Sequence, residues 1–182
     1  MTFAGVSRSS TRVKCITIVA TIAVAVLMSV SCSQQHGTTE AMPKFSELSD
    51  QDKSRLDAQR AVVASAIRQR YRVSALTKTV ADLPALQRLI DDRAFNKTQT
   101  YELQSLGVAF GDVLSSELAL RWVIVTDEYG TDPTLRFKST TVQINALTMI
   151  SKRIERDEVV NLGQLLQTTR DQLGRRSENG KL

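Results

Sequence analysis

The chain has 182 residues, with 24 Lys and Arg against 19 Asp and Glu, two Cys, one His and a net charge of +5 at pH 7. Its length allows one domain around a single hydrophobic core. Because the one histidine, His36, precedes every helix and strand predicted for the folded part, that part excludes histidine-dependent triads, histidine general bases and His–Cys zinc sites.

The N-terminus has the pattern of a signal peptide. Three basic residues precede an uncharged apolar run over residues 16–30. As a helix this run would be roughly 22 Å long, which is short of a hydrocarbon core of about 30 Å. No Lys or Arg follows it until Lys44, whereas a retained anchor usually carries basic residues just past its end. We therefore predict that residues 1–31 are removed.

Removal of this leader takes away most of the positive charge. Arg8, Arg12 and Lys14 are lost together with no acid, so 21 basic residues remain against 19 acidic ones and the net charge falls from +5 to +2. An extended basic face with aromatic stacking positions is missing as well. We expect no nucleic-acid partner, and no motif predicts a small-molecule cofactor or a metal ion.

Cys32 directly follows the predicted leader. Ser29 and Ser31 fit the small-x-small pattern of ordinary secretory cleavage, and they also resemble a bacterial lipobox, in which Leu is usual at the position of Ser29. Because Cys15 is removed with the leader, Cys32 would be a lone thiol in an oxidising compartment, and lipid attachment consumes it. We predict that Cys32 carries fatty acyl chains such as palmitate. The alternatives are a soluble secreted or periplasmic protein and an uncleaved anchor.

The residues after Cys32 indicate where the mature chain is held. Ser33, rather than Asp, resembles the outer-membrane sorting pattern of Gram-negative lipoproteins. The expected location is the cell envelope, with the lipid in the outer membrane and the protein facing the periplasm. Residues 32–43 are predicted to be the lipidated cysteine and a flexible tether, and residues 44–182 a single domain.

Three helices are predicted first in this domain. The first begins after Ser49 and ends near Arg72, with an apolar face formed by Leu56, Val63, Ile67 and Tyr71. The second is short and begins at Asp82, where Leu and Pro follow as at a helix start. The third opens near Thr98 and carries Leu103, Leu106, Phe110, Val113, Leu114 and Leu118 at spacings of three and four. Gly107 and Gly111 lie within it, and we expect them to allow close backbone approach of another element.

The hydrophobic period then changes from that of a helix to that of strands. Residues 121–125 form a β-branched and aromatic run typical of a strand buried on both faces, and residues 135–138 and 142–145 alternate apolar with polar. Helical spacing returns at Leu147, Ile150 and Ile154, and a last helix is predicted from Asn161 through Leu165, Leu166 and Leu173. The predicted fold is α+β: N-terminal helices, a three-stranded antiparallel meander and C-terminal helices.

The sequence DEYGTDP, residues 127–133, places Asp127, Glu128 and Asp132 between two predicted strands. Clustered carboxylates can serve as acid and base or bind a hard cation, although the spacing differs from that of an EF-hand. The structural interpretation is a connector in which Asp127 binds nearby amides, Gly130 supplies a positive φ and Pro133 limits the next strand.

The sequence SKRIER, residues 151–156, places Lys152 and Arg153 on a predicted helix, where they could bind phosphate or an acidic partner. Its structural interpretation is a solvated face with ion pairs from Lys152 to Glu155 and from Arg153 to Asp157. If the acidic connector folded back onto this run, the two would form a polar groove.

Three stretches together resemble a known family: LGVAFGDVL, WVIVTDEYGTDPTLRFK and LTMISKRIE, between Leu106 and Leu166. They resemble the bacterial domain-of-unknown-function family numbered 3806, with a family-like core at about residues 98–170. The resemblance implies a bacterial source and a shared fold, and it brings no catalytic residue, cofactor or substrate.

These observations favour a non-enzymatic envelope lipoprotein that binds another protein or an envelope polymer and contacts the membrane through the lipid on Cys32. The alternative function is a carboxylate-based hydrolase or a cation-binding module that uses Asp127, Glu128 and Asp132, with Lys152 or Arg153 stabilising developing charge.

Overall fold

A computed structural model describes residues 42–72 and 75–178, with side chains up to residue 176. These residues belong to one compact unit. The predicted leader, Cys32, His36 and the predicted tether up to residue 41 lie outside the described residues.

The described chain contains six helices and four strands. In chain order they are β1 (Lys44–Ser46), α1 (Asp50–Tyr71), α2 (Leu83–Asp91), α3 (Thr100–Leu118), β2 (Leu120–Asp127), β3 (Gly130–Phe137), β4 (Gln143–Ile144), α4 (Ala146–Met149), α5 (Ser151–Glu155) and α6 (Leu162–Glu178). A single 3₁₀ turn, Val80–Asp82, precedes α2.

The strands form one antiparallel sheet in the order β1-β2-β3-β4, so the α+β class is confirmed. The predicted count of three strands is wrong, because β1 adds a fourth on the outer edge of β2, with Phe45 opposite Val125. A strand of three residues is too short to show the alternation by which strands are recognised. The predicted meander is the β2-β3-β4 part of this sheet.

The start of β3 differs from the prediction. Pro133 does not limit the next strand: β3 runs through it, with Pro133 opposite Ile124. Proline is tolerated there because β4 pairs only with Leu135 and Arg136, which leaves β3 as an edge strand at Pro133.

Helix α3 is the centre of the fold. Residues 105–114 are buried without interruption, and α1, α2, α4, α5, α6, β2 and β3 all pack against it. A helix surrounded on all sides is expected to be apolar all round. Asp112 is the charged exception in this buried stretch.

Gly107 and Gly111 allow this close packing, as predicted. A Cβ at Gly107 would lie 2.5 Å from the carbonyl oxygens of Ala146 and Leu147, and one at Gly111 would lie 2.5 Å from Cζ2 of Trp122. Both distances are far below van der Waals contact, so only glycine lets α4 and Trp122 approach α3 this closely.

Helix α1 begins and ends as the sequence predicts. The Ser49 side chain accepts a hydrogen bond from the Asp52 amide and the Asp52 carboxylate accepts one from the Ser49 amide, which forms a capping box. Its buried face also includes Gln59, which is 1% exposed and lies between the apolar positions Leu56 and Val63.

Gln87 of α2 fixes the start of the last helix. Its Nε2 donates to the Val160 carbonyl at 2.9 Å, and its Oε1 accepts from the Leu162 amide at 2.9 Å. The N-terminus of α6 is therefore tied to α2, and the loop between α5 and α6 is held beside the end of α2.

Candidate functional site

The predicted acidic connector is the tip of the β2–β3 hairpin. Asp127 ends β2 opposite Gly130, so only Glu128 and Tyr129 form the turn. The Asp127 carboxylate accepts a hydrogen bond from the Tyr129 amide at 2.9 Å, and Gly130 has φ 133°. The structural interpretation is thus confirmed for Asp127 and Gly130, whereas its third part, that Pro133 limits the next strand, is wrong.

The other two acids of the hairpin, Glu128 and Asp132, are both exposed. Asp132 lies opposite Val125 in the register of the two strands, while Glu128 lies in the turn. Within residues 42–72 and 75–178, no group of three His, Cys, Asp or Glu side chains is placed to hold a metal ion.

The SKRIER run is shorter as a helix than its sequence suggests, because α5 ends at Glu155. Lys152 is exposed, while the Arg153 guanidinium donates to the Met149 carbonyl at 2.6 Å. Asp157 has φ 57° and pairs with Lys97 at 3.0 Å in place of the predicted pair with Arg153. Arg153 and Asp127 thus each form a hydrogen bond with a residue close to it in the sequence, and not with each other. A groove between the two segments remains a prediction.

A larger cleft lies beside α3, and we call it the α2–α5 groove. It encloses about 580 Å³ between the loop after α2 and the loop after α5. Its floor is apolar and includes Leu89, Leu103, Leu106, Phe95, Ile154 and Val160. Its rim is charged and includes Asp91, Arg93, Lys97, Asp157 and Glu158. An apolar cavity of this size with a few polar groups is typical of a binding site.

Both walls of the groove are helix ends closed by the same capping motif. At the end of α2 the Ala94 amide donates to the Leu89 carbonyl, and at the end of α5 the Glu158 amide donates to the Arg153 carbonyl. Glycine usually occupies the residue before these amides, because it has to adopt a positive φ.

This chain places charged residues at those two positions. Arg93 has φ 49° and Asp157 has φ 57°. A residue with a Cβ is destabilising there by about 1 kcal/mol relative to glycine. Arg93 and Asp157 therefore each lower the stability of the fold slightly.

One ion pair connects the two walls. The Lys97 ammonium contacts both carboxylate oxygens of Asp157, at 3.1 and 3.0 Å. Both side chains are largely exposed, and an ion pair of this kind contributes only about 0–1 kcal/mol. A ligand could therefore replace the pair at low cost.

Sequence reasoning missed a second polar feature, which is buried next to the core. The Asp112 carboxylate accepts hydrogen bonds from Arg60 Nε at 2.6 Å, from Arg60 Nη2 at 2.7 Å and from Trp122 Nε1 at 2.9 Å. Asp112 is 6% exposed, and its hydrogen bond raises the pKa of the Arg60 guanidinium above its usual value. The one signal in the sequence was an acid inside the apolar run LGVAFGDVL.

The lipid anchor at Cys32 stays a prediction, because residues 1–41 lie outside the described part of the chain. In residues 42–72 and 75–178, no helix combines the length and the apolar character needed to cross a bilayer.

Comparison with known proteins supports the family resemblance. Residues 82–165 match the model of a family described as "Domain of unknown function (DUF3806)", which confirms the family predicted from the sequence. The match includes α2, which precedes the expected core at about 98–170. Every residue of the α2–α5 groove named above lies inside the matched segment.

A crystal structure of a protein from Bacteroides thetaiotaomicron VPI-5482 is similar in fold. The two chains are 15% identical with a TM-score of 0.65, and the match covers 73% of this chain and 49% of that chain. The matched region is about half of that protein, and the likeness shows the fold alone. No curated protein matches the chain.

Proposed function

We propose that this chain, which carries a DUF3806 domain in residues 82–165, is a non-enzymatic binding module of the bacterial envelope. Its proposed binding site is the α2–α5 groove, and its proposed ligand is an extended segment of another envelope protein. The observation that carries this proposal is the groove itself, an open space of about 580 Å³ with an apolar floor and a charged rim.

The arrangement of charge favours a peptide segment as the ligand. Arg93 and Lys97 belong to the loop after α2, whereas Asp157 and Glu158 belong to the loop after α5. Apart from Asp91 at the end of α2, the charged residues of the two walls are of opposite sign on either side of an apolar floor. A segment with one apolar side chain, an acid on one side and a base on the other would match both walls, and the charges would set its direction.

A displayed library of random peptides tests this site with the full-length protein as the target. We expect enriched peptides to share an apolar residue flanked by an acid and a base, and we expect Lys97→Glu to weaken their binding about tenfold.

Lys53→Glu is the matched control for this change. Lys53 is 58% exposed and pairs with Asp50, as Lys97 is 56% exposed and pairs with Asp157, but Lys53 lies on α1 outside the groove. Absence of enriched peptides, or peptides that bind the Lys97→Glu protein as tightly as the wild type, would refute the assignment of the groove.

The tether is a separate part of the proposal, and it is supported by the sequence around Cys32. We expect protein recovered from bacterial membranes to begin at Cys32 and to have the intact mass of an acylated chain. Cys32→Ser should release the protein from the membrane fraction. A chain that begins at Met1, or a soluble protein with an unmodified Cys32 thiol, would contradict the lipid anchor.

A further inference from the structure

A second cavity lies against another face of α3, between α1 and the loop before α2. It has a volume of about 210 Å³, and four alanines on its surface leave this space open: Ala61, Ala64, Ala75 and Ala109. Three cationic residues also line it, Arg60, Arg68 and Lys78, together with the acids Asp82 and Asp112. We call it the alanine cavity.

Both acids of the alanine cavity accept hydrogen bonds from other groups of the protein. The Asp82 carboxylate accepts hydrogen bonds from the Thr77 amide, the Thr77 hydroxyl and the Lys78 amide, at 2.7 to 3.0 Å. The Asp112 carboxylate accepts from Arg60 and Trp122. Neither acid is therefore the ion-pair partner of the other two cations.

Arg68 and Lys78 are exposed, and neither side chain has a hydrogen bond or an ion pair with any residue that the structure describes. Arg60 uses three of its five N–H donors on Asp57 and Asp112, which leaves two. Three cations therefore line the cavity against two acids, and the side-chain donors of Arg68 and Lys78 have no acceptor among the described residues.

The backbone fixes one of these cations in an uncommon conformation. Lys78 has φ 61°, and its amide is held by the Asp82 carboxylate at 2.7 Å. A left-handed conformation is uncommon for a residue with a side chain. The buried Asp82, which is 5% exposed, therefore determines where the Lys78 side chain leaves the backbone.

We propose that the alanine cavity binds the carboxylate of a small aliphatic ligand. Cations that lack an acidic partner recognise an anion through charge-assisted hydrogen bonds, and the alanine surface accommodates a short apolar body. The volume is below that of a typical drug-sized site, so the ligand is either a short free carboxylic acid or the carboxyl-terminal residue of a peptide. Both present the same carboxylate.

Titration calorimetry of the full-length protein with butyrate tests this proposal, and butyramide is the uncharged probe of the same shape. We expect saturable binding of butyrate and none of butyramide. N-acetylalanine represents the carboxyl terminus of a peptide. Binding of either acid supports carboxylate recognition. Tighter binding of butyrate identifies a free carboxylic acid as the ligand, and tighter binding of N-acetylalanine identifies a peptide terminus. Equal binding of butyrate and butyramide, or binding of neither acid, would overturn the proposal.

Three variants connect binding to this cavity. Arg68→Gln and Lys78→Gln should each weaken butyrate binding about tenfold, as expected for the loss of one charge-assisted hydrogen bond. Ala64→Leu should block binding by filling the cavity without changing any charge. The control is Arg55→Gln. Arg55 is an exposed arginine of α1, the helix that carries Arg68 and Ala64, and it lies outside the cavity, so this change should leave butyrate binding unchanged. If all four proteins bind butyrate as the wild type does, the ligand lies elsewhere and the proposal fails.

Discussion

Gly107→Ala tests the packing of α4 against α3. The same substitution stabilises an ordinary exposed helix, so a loss of stability at Gly107 would come from this packing. Replacing glycine by alanine inside an exposed helix gains about 1 kcal/mol. At Gly107 the new Cβ would lie 2.5 Å from the carbonyl oxygens of Ala146 and Leu147. Both oxygens belong to the backbone of α4, so relief requires α4 to move away from α3.

The expected cost exceeds the gain in helix propensity. Overpacking a core costs about 1–3 kcal/mol, and contact with backbone at this distance places Gly107→Ala at the upper end. We expect a net loss of about 2 kcal/mol in the free energy of unfolding, measured by urea denaturation, with a melting temperature lower by roughly 5–10 °C.

Gly174→Ala in α6 is the matched control. Apart from its chain neighbours and the backbone of α6 itself, no atom in the described part of the chain lies within 4 Å of a Cβ built there, so this variant should gain up to about 1 kcal/mol. If Gly107→Ala is as stable as the wild type while Gly174→Ala gains stability, then α4 does not pack against α3 as described, and the reasoning is refuted.

Three further predictions concern other polar contacts. Asp112→Ala should cost about 3 kcal/mol on urea unfolding because it leaves Arg60 without its buried partner; a loss below about 1 kcal/mol would show that the pair is not structural. The pKa of Asp52 is lowered by hydrogen bonds from Ser49, so its contribution to stability is present above the ordinary pKa of 3.8 and is lost as the pH falls through the lowered value. The difference in stability between wild type and Asp52→Asn should therefore shrink below pH 3.8, and a constant difference would contradict this assignment. Asp127→Ala should lose about 0.5–1 kcal/mol while Asp127→Asn, which keeps an acceptor for the Tyr129 amide, should lose less; equal losses would argue for a role of the charge.

Elements with a local signal could be predicted from the sequence. Ser49 and the regular apolar face that follows it predict helix α1, which the structure has at Asp50–Tyr71. Helix α3 starts at Thr100, two residues after the expected Thr98, because helix ends carry weaker signals than helix faces. The spacing of Gly107 and Gly111 within α3 also indicates close packing, although it does not identify the packing partners.

Features made by distant residues could not be predicted. Arg60 and Asp112 are 52 positions apart, and periodicity gives no information on which buried acid meets which base. The α2–α5 groove likewise combines residues near 89–106 with residues near 154–160, and its existence depends on how the ends of α2 and α5 meet. The acidic and basic runs of the sequence were conspicuous, yet the groove does not include Asp127, Glu128, Asp132, Lys152 or Arg153.

Site-specific photocrosslinking in intact cells tests the central claim most directly. Val159 is 95% exposed and lies on the α2–α5 groove, and Val80 is 44% exposed and lies outside it, so a photoreactive residue at position 80 is the control for one at position 159. We predict that position 159 crosslinks to one short segment of a single envelope protein, that Lys97→Glu reduces this product, and that position 80 does not form it. The same products from both positions, or none from position 159, would contradict a protein-binding role for the groove.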